Sequence, residues 1–268
     1  AGDFLTSPSV SMFFGGAIAN KFVSLVRSGA LPKDSIVCEI GANSLYALKD
    51  FASFVAGLYP ELLKTVKFVI VEKQEAAAQF QTKELQEFFC DVDFEIVNSL
   101  NGFEDRAAFV FANEIFDAFA CELLYDGKFA SVVNHKIDFD IDDTLLLKKA
   151  KKLEISKGEL ATGYEEFAKE LYGAFAKSYF ITFDYGQEYA RNDFSIRTYK
   201  EHRSEPLFGL ENIAEYFATS DITYDVSFGH LALAFEEAGF ETIEYKNQAS
   251  ALVGFGISEL LEVYLAKA

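Results

Sequence analysis

The sequence has no tryptophan and only three histidines and three cysteines. With 29 Phe and 13 Tyr in 268 residues, phenylalanine must do much of the core filling. The excess is read as compositional bias, not as an aromatic binding box. Cys38, Cys90 and Cys121 form no C-x-x-C pair. They read as reduced, mostly buried thiols, which points to a reducing compartment, the cytoplasm. His135, His202 and His230 are far apart, with no metal-ligand spacing, so no metal site is expected. Basic residues are scarce: 24 Lys+Arg face 42 Asp+Glu, a formal charge of −18. So acidic a surface repels phosphate backbones and anionic headgroups, which makes nucleic acid and membrane poor partners. A protein substrate with a basic side chain is a compatible one. No run reaches the ~20 apolar residues of a membrane span. No signal peptide is legible, and Ala1-Gly2-Asp3 reads as an abrupt start, with native residues and any targeting signal expected to precede it.

Periodicity organises the chain as one α/β domain over 1–268, with an insertion at about 119–177. Val10, Phe13, Phe14, Ile18 and Phe22 recur at helical spacing before Gly29. Ser35 to Ile40 reads as a buried strand ending at Gly41. Asn43 or Ser44 can cap the next helix, which buries Leu45, Leu48, Phe51 and Val55. A second strand, Val66 to Val71, ends on Glu72, and a helix with Ala76, Phe80 and Phe88 follows. A third, Phe94 to Val97, runs into Asn98-Ser99-Leu100, and a fourth, Ala107 to Ala112, into Asn113-Glu114. This alternation implies a parallel sheet of the Rossmann type with helices on both faces.

Beyond it the pattern changes. Cys121 to Tyr125 and Phe129 to Val133 flank Asp126-Gly127, a two-residue hairpin signal. His135 to Lys157 reads as a charged, irregular insertion, a candidate lid. Thr162-Gly163-Tyr164-Glu165 has the capping-box pattern before a helix carrying Tyr164, Phe167, Leu171 and Phe175. A fifth strand, Tyr179 to Phe183, ends at Asp184-Tyr185-Gly186. Gln187 to Pro206 holds the basic concentration of the chain: Arg191, Arg197, Lys200, His202 and Arg203. Two more helices, a strand near Phe240 to Tyr245 completing the sheet, and a C-terminal helix are expected after it.

Ligands of open parallel sheets bind beyond the carboxyl ends of the strands. Four strand ends here carry polar groups: Glu39-Ile40-Gly41-Ala42-Asn43, Glu72, Asn98-Ser99-Leu100 and Asn113-Glu114. That set suits a nucleoside with an amino-acid tail. Glu72 can accept both hydroxyls of an unphosphorylated ribose, or can be a solvated loop residue. Asn113 and Glu114 can face a bound ligand, or can cap a helix. Thr6 and Ser7 close over the cofactor's tail or cap the first helix. Asp117 reads as structural. Arg197, Tyr199 and His202 hold a substrate loop, pair with an acidic rim, or are solvated.

Five segments carry a family resemblance. Gly2-Asp3-Phe4-Leu5-Thr6-Ser7-Pro8-Ser9-Val10-Ser11 resembles a G-D-F-x-T-S-P-E-[VI]-S opening. Ala112-Asn113-Glu114-Ile115-Phe116-Asp117-Ala118 is similar to A-N-E-[FL]-F-D-A, and Asp184-Tyr185-Gly186 matches a D-Y-G. Ile196-Arg197-Thr198-Tyr199 with His202-Arg203 is similar to L-R-x-Y-x-x-H-[RK]. Asp221-Ile222-Thr223 with Val226 and Phe228 resembles D-[LI]-T-x-H-V-D-F. In this order they resemble the MidA-like S-adenosylmethionine-dependent methyltransferases, which include the mitochondrial complex I assembly-factor methyltransferase. The resemblance implies a seven-strand-type methyltransferase fold, S-adenosylmethionine as cofactor and a protein arginine as acceptor. It implies cofactor contacts at Thr6, Ser7, Glu39, Gly41, Ala42, Asn43, Glu72, Ser99, Leu100 and Asn113. Asn113 and Glu114 would face the acceptor, and Asp117, Asp184, Tyr185, Arg197, Tyr199 and His202 would bind substrate.

Departures are concentrated in the glycine loop. The family's E-x-G-P-G-x-G-T stands here as Glu39-Ile40-Gly41-Ala42-Asn43-Ser44-Leu45-Tyr46, without the proline and two of the glycines. The His and second Asp of the last motif are Asp225 and Ser227. Two readings stand at this point: a methyltransferase acting on a protein nitrogen, or a non-catalytic binding or assembly protein that kept the fold. A nicotinamide-dependent oxidoreductase is disfavoured by the missing G-x-G-x-x-G.

Overall fold

The computed structural model describes residues 11–89, 92–200, 203–216 and 218–266. They divide into two compact units. One is drawn from the described residues of 11–113, 170–183 and 243–266, the other from those of 114–169 and 184–242.

The first unit opens with helix α1 (Met12–Arg27), capped by Ser11, whose hydroxyl accepts from the Phe13 N–H. Gly29, at φ +77°, stops it in the left-handed conformation a glycine adopts without strain. Strands β1 (Ile36–Ile40), β2 (Lys67–Val71), β3 (Phe94–Val97) and β4 (Ala107–Asn113) then alternate with helices α2 (Tyr46–Leu58) and α3 (Glu75–Phe88). Every residue of β1 is buried, as a strand covered on both faces requires.

The chain then builds the second unit. Strands β5 (Cys121–Tyr125), β6 (Lys128–Val133) and β7 (Lys136–Ile141), helix α4 (Thr144–Lys152) and β8 (Gly158–Ala161) lead into helix α5 (Tyr164–Gly173). The four strands form an antiparallel sheet in the order β7-β6-β5-β8. Asp126 (φ +49°) and Gly127 (φ +74°) make the hairpin turn, both left-handed as a primed turn demands. The stretch from His135 to Lys157, expected to be irregular, is instead a strand and a helix. In β7, Ile137, Phe139 and Ile141 alternate with charged residues, and Asp143 caps α4 by accepting from the N–H groups of Leu145 and Leu146. The high charge hid a period-two pattern. The capping box at Thr162 is not made. Its hydroxyl donates to the Ala120 carbonyl, and the Glu165 carboxylate is taken by Lys149 and His230.

Strand β9 (Lys177–Phe183) returns to the first unit and completes an all-parallel sheet in the order β3-β2-β1-β4-β9. Strand order reverses at β1, the switch point where ligands of such sheets bind. Register aligns Ile40 with Val71 on one side and Ala112 on the other, so neighbouring strands finish level. Over the sheet, the Phe51 ring stacks on Phe111 at 5.7 Å and lies within 6.1 Å of Phe22, Phe68 and Phe109. All five rings are fully buried, the role read for phenylalanine from composition. A Cβ on Gly15 would lie 2.6 Å from the Ala47 carbonyl oxygen, so glycine is what lets α1 close on α2.

The second unit continues with β10 (Gly186–Gln187), β11 (Arg197–Lys200), β12 (Arg203–Pro206), β13 (Asp221–Thr223), β14 (Val226–Ser227) and helix α6 (Phe228–Ala238). β11 lies antiparallel between β12 and β13, while β10 pairs with β14. Phe116 centres this unit's core, edge-on to Tyr164 and Phe167. Of the two helices expected between Pro206 and the strand near Phe240, only α6 forms as a full helix. Leu207–Gly209 and Ile213–Glu215 are single 3₁₀ turns.

The chain ends in the first unit with two short helices, α7 (Gln248–Gly254) and α8 (Ile257–Leu265), separated at Gly256 (φ +87°). The strand expected near Phe240 to Tyr245 does not form. Ile243 and Tyr245 are 74% and 47% exposed, and the segment belongs to none of the sheets of the described residues.

Candidate functional site

In the first unit the sheet brings Gly41, Glu72, Ser99 and Asn113 to the carboxyl edge of four adjacent strands. The Gly41 N–H donates to the Val71 carbonyl and the Glu72 N–H to the Val97 carbonyl, which fixes the first two turns beside their neighbours. Gly41, Asn43 and Leu45 all take positive φ, at +72°, +42° and +63°. These are the three glycine positions of the family loop. All three positions thus take the left-handed conformation that glycine adopts without strain, although two of the glycines are gone. Leu45, not Asn43 or Ser44, occupies the cap of α2, and it makes no side-chain cap bond. A bulky residue at positive φ costs roughly 1–2 kcal/mol, but Leu45 is fully buried, which returns about 1.5–3 kcal/mol. Burial is the larger effect and holds the turn.

Glu39, on β1, is 4% exposed, and burial pushes its carboxyl up to about 8, against a lowering from the Leu48 N–H. Its Oε2 is buried without a partner. Glu72 follows β2. Its Oε1 accepts from the Gln74 N–H at 2.9 Å and its Oε2 from the Gln81 amide at 3.2 Å. Ala42 and Leu100 are buried, and Ser99 Oγ accepts from Asn101. Asn113 ends β4 with a buried, unpartnered Oδ1.

The second unit gathers the remaining candidates. Glu114 stands at φ +53°, and the Tyr185 hydroxyl donates to it. Asp184 accepts from the N–H groups of Phe116 (2.9 Å), Asp117 (3.4 Å) and Tyr185 (2.9 Å). Burial holds the carboxyls of Asp117 and Asp184 above their usual range. The charge of Asp117 raises Asp184 further, while Arg197 works against the rise at Asp117. Arg197 itself bonds Asp225 at 2.7 Å and the Tyr199 hydroxyl at 3.0 Å, and Arg191 shares Asp225 at 2.6 Å. Asp225, where the resembling family has histidine, thus meets two arginines of the basic stretch. Thr6, Ser7 and His202 lie outside the described residues.

Two residues escaped the sequence reading. Gln81 is buried beneath Glu72, and its signal was the i, i+4 spacing to Leu85 on the inner face of α3. Asp225 was noted only as a departure. Among the described residues no group of three metal-ligating side chains occurs, and no helix is long and apolar enough to cross a membrane.

A family model described as "Putative S-adenosyl-L-methionine-dependent methyltransferase" matches residues 17–246. The chain belongs to this family. No curated protein matches its sequence. Among solved structures, the methyltransferase resembles a superfamily member and "likely methyl transferase" from Burkholderia thailandensis bound to S-adenosylhomocysteine. The TM-score is 0.75 at 20% identity, over 97% of this chain and 70% of that one. It also resembles a native structure of an uncharacterised protein of that superfamily from the same organism, with TM-score 0.78 at 19% identity over 97% and 72%. The methyltransferase fold is thus established, and S-adenosylmethionine is the family's cofactor. The site residues fit that group. Glu39 Oε2 and Asn113 Oδ1 are acceptors without donors, and Glu72 is a fixed carboxylate.

Proposed function

We propose that this methyltransferase methylates a nitrogen of a basic protein side chain, arginine in the first place, in the cytoplasm. The reading treats 1–268 as one methyltransferase domain with its insertion at about 119–177. The observation that carries the acceptor assignment is the carboxylate cluster of the second unit. Glu114, Asp117 and Asp184 are concentrated there, and burial holds the two aspartates above their usual range. Such a group attracts a cation, and a carboxyl held high is a better proton acceptor than an ordinary one.

The cofactor supplies a methyl on a cationic sulfur, open to attack by a nitrogen lone pair. Glu72 accepts the ribose hydroxyls, and the turn at Gly41, Ala42 and Asn43 lets the backbone approach the amino-acid tail. Glu39 meets the tail's ammonium, and Ser99 and Leu100 flank the nucleoside. Asn113 Oδ1 accepts an N–H of the acceptor, so the lone pair is aimed rather than free. Glu114 pairs with the guanidinium and takes proton density as it reacts. Within the second unit, Asp117, Asp184 and Tyr185 are the groups suited to bind a cationic side chain. Arg197 and Tyr199 fix the loop around them through Asp225.

The alternative, a non-catalytic assembly protein, is favoured by Asn43 and Leu45 replacing glycines. The positive φ at all three loop positions, the conformation glycine favours, supports the enzyme. Labelled S-adenosylmethionine with arginine- and lysine-containing peptides tests the choice by mass spectrometry. Methyl on arginine, lost in Glu114→Gln, supports the proposal. Methyl on lysine alone corrects the acceptor. No transfer despite cofactor binding supports the assembly protein.

A further inference from the structure

Gln81 and Leu85 are the fully buried residues of α3. A buried amide needs partners. The Gln81 Nε2 donates to the Asn43 carbonyl at 3.1 Å and to Glu72 Oε2 at 3.2 Å. Both partners are acceptors, which fixes the amide's orientation. Turned over, Oε1 would face a carbonyl and a carboxylate oxygen. Oε1 is left buried with no partner, so the side chain gives up one hydrogen bond to keep the other two.

The two acceptors belong to different parts of the cofactor site. Asn43 is the middle left-handed position of the turn that runs from Gly41 to Leu45. Glu72 lies past the neighbouring strand, and its other oxygen is already held by the Gln74 N–H. We propose that Gln81 is a positioning residue that ties the 41–45 turn to the Glu72 carboxylate, so that both stand in binding geometry before the cofactor arrives. The inference rests on the reading of Glu72 as the ribose acceptor. Each carboxylate oxygen keeps a lone pair for a hydroxyl after accepting one bond. With the donor gone, the carboxylate keeps only the Gln74 bond on one oxygen, and the carbonyl of a strained turn loses its anchor.

The test is calorimetric titration with S-adenosylhomocysteine of wild type, Gln81→Leu, Gln81→Glu and Glu72→Ala. Melting curves run alongside. Gln81→Leu is expected to lose about tenfold in affinity. Gln81→Glu places a second carboxyl against Glu72, and one of such a pair is protonated at mildly acid pH. The protonated form can donate again. Its affinity is therefore expected to lie about tenfold below wild type near pH 8 and to approach wild type near pH 5.5. A role in folding alone would not produce that recovery. If Gln81→Leu fails to fold, the near-isosteric Gln81→Glu carries the test. Wild-type affinity in both Gln81 variants, with Glu72→Ala weakened, overturns the proposal while leaving the ribose reading intact. A loss in Gln81→Glu that is the same at every pH also overturns it. Unchanged affinity in Glu72→Ala overturns the ribose reading, and this inference with it.

Discussion

The two units hold their polar groups by different means. In the first, Glu39, Glu72 and Asn113 stand at the ends of adjacent parallel strands, and main-chain register puts them there. In the second, Asp117, Asp184, Arg197 and Asp225 sit on turns or at the ends of short strands and are held by one another and by backbone N–H groups. One site is built by topology on a deep apolar layer, the other by charge pairing on turns. The first should therefore lose most from a cavity and the second from a lost partner.

The largest expected effect sharpens that contrast. Phe51→Ala empties the centre of a five-ring cluster and should cost about 3–5 kcal/mol in denaturant unfolding. Phe139→Ala, on the half-buried face of the hairpin sheet, should cost clearly less. Equal losses would break the distinction between the two cores.

Next comes Glu72→Ala. Removing a charged acceptor should weaken S-adenosylhomocysteine binding by about 1.5–3 kcal/mol, with little change in melting temperature. A large drop in melting temperature would make Glu72 a structural residue.

A smaller effect concerns Glu39. Its carboxyl lies near 8 in the folded protein against 4.5 ordinarily. The folded state then binds a proton that the unfolded chain has released. Stability should fall as pH rises through that window and level off above it. Glu39→Gln should flatten the fall between roughly pH 5 and 9. Melting curves across that range check it, and an unchanged slope would remove Glu39 as the cause.

The smallest effect is expected from Ala42→Pro with Asn43→Gly, which restores the family loop at both positions. Asn43 already takes positive φ, so the change relieves only about 1 kcal/mol of strain. Affinity for S-adenosylhomocysteine should rise by no more than about tenfold. A larger gain would mean that the Asn43 side chain obstructs the site.

Periodicity made the first unit legible. Its strands end within a residue or two of where Ile40, Val71, Val97 and Ala112 placed them, because a strand buried on both faces writes a continuous apolar run. It could not show Gln81, since a polar residue on an inner helix face is marked only by what it touches. Leu45 was invisible for a related reason: its positive φ is imposed by the turn and stabilised by burial, against its own preference. In the second unit the Asp126-Gly127 turn was readable from local chemistry. β7 was masked by its charges, and the pairing of Arg191 and Arg197 with Asp225 joins segments about thirty residues apart that no spacing rule connects.

The central claim is that the turn from Gly41 to Leu45 keeps a cofactor-binding backbone after losing two glycines. Calorimetric titration of the wild-type protein with S-adenosylhomocysteine tests it most directly. The account predicts one saturable site per chain, weakened in Glu72→Ala. No heat of binding and no thermal stabilisation by the ligand, in a folded wild-type protein, would contradict it.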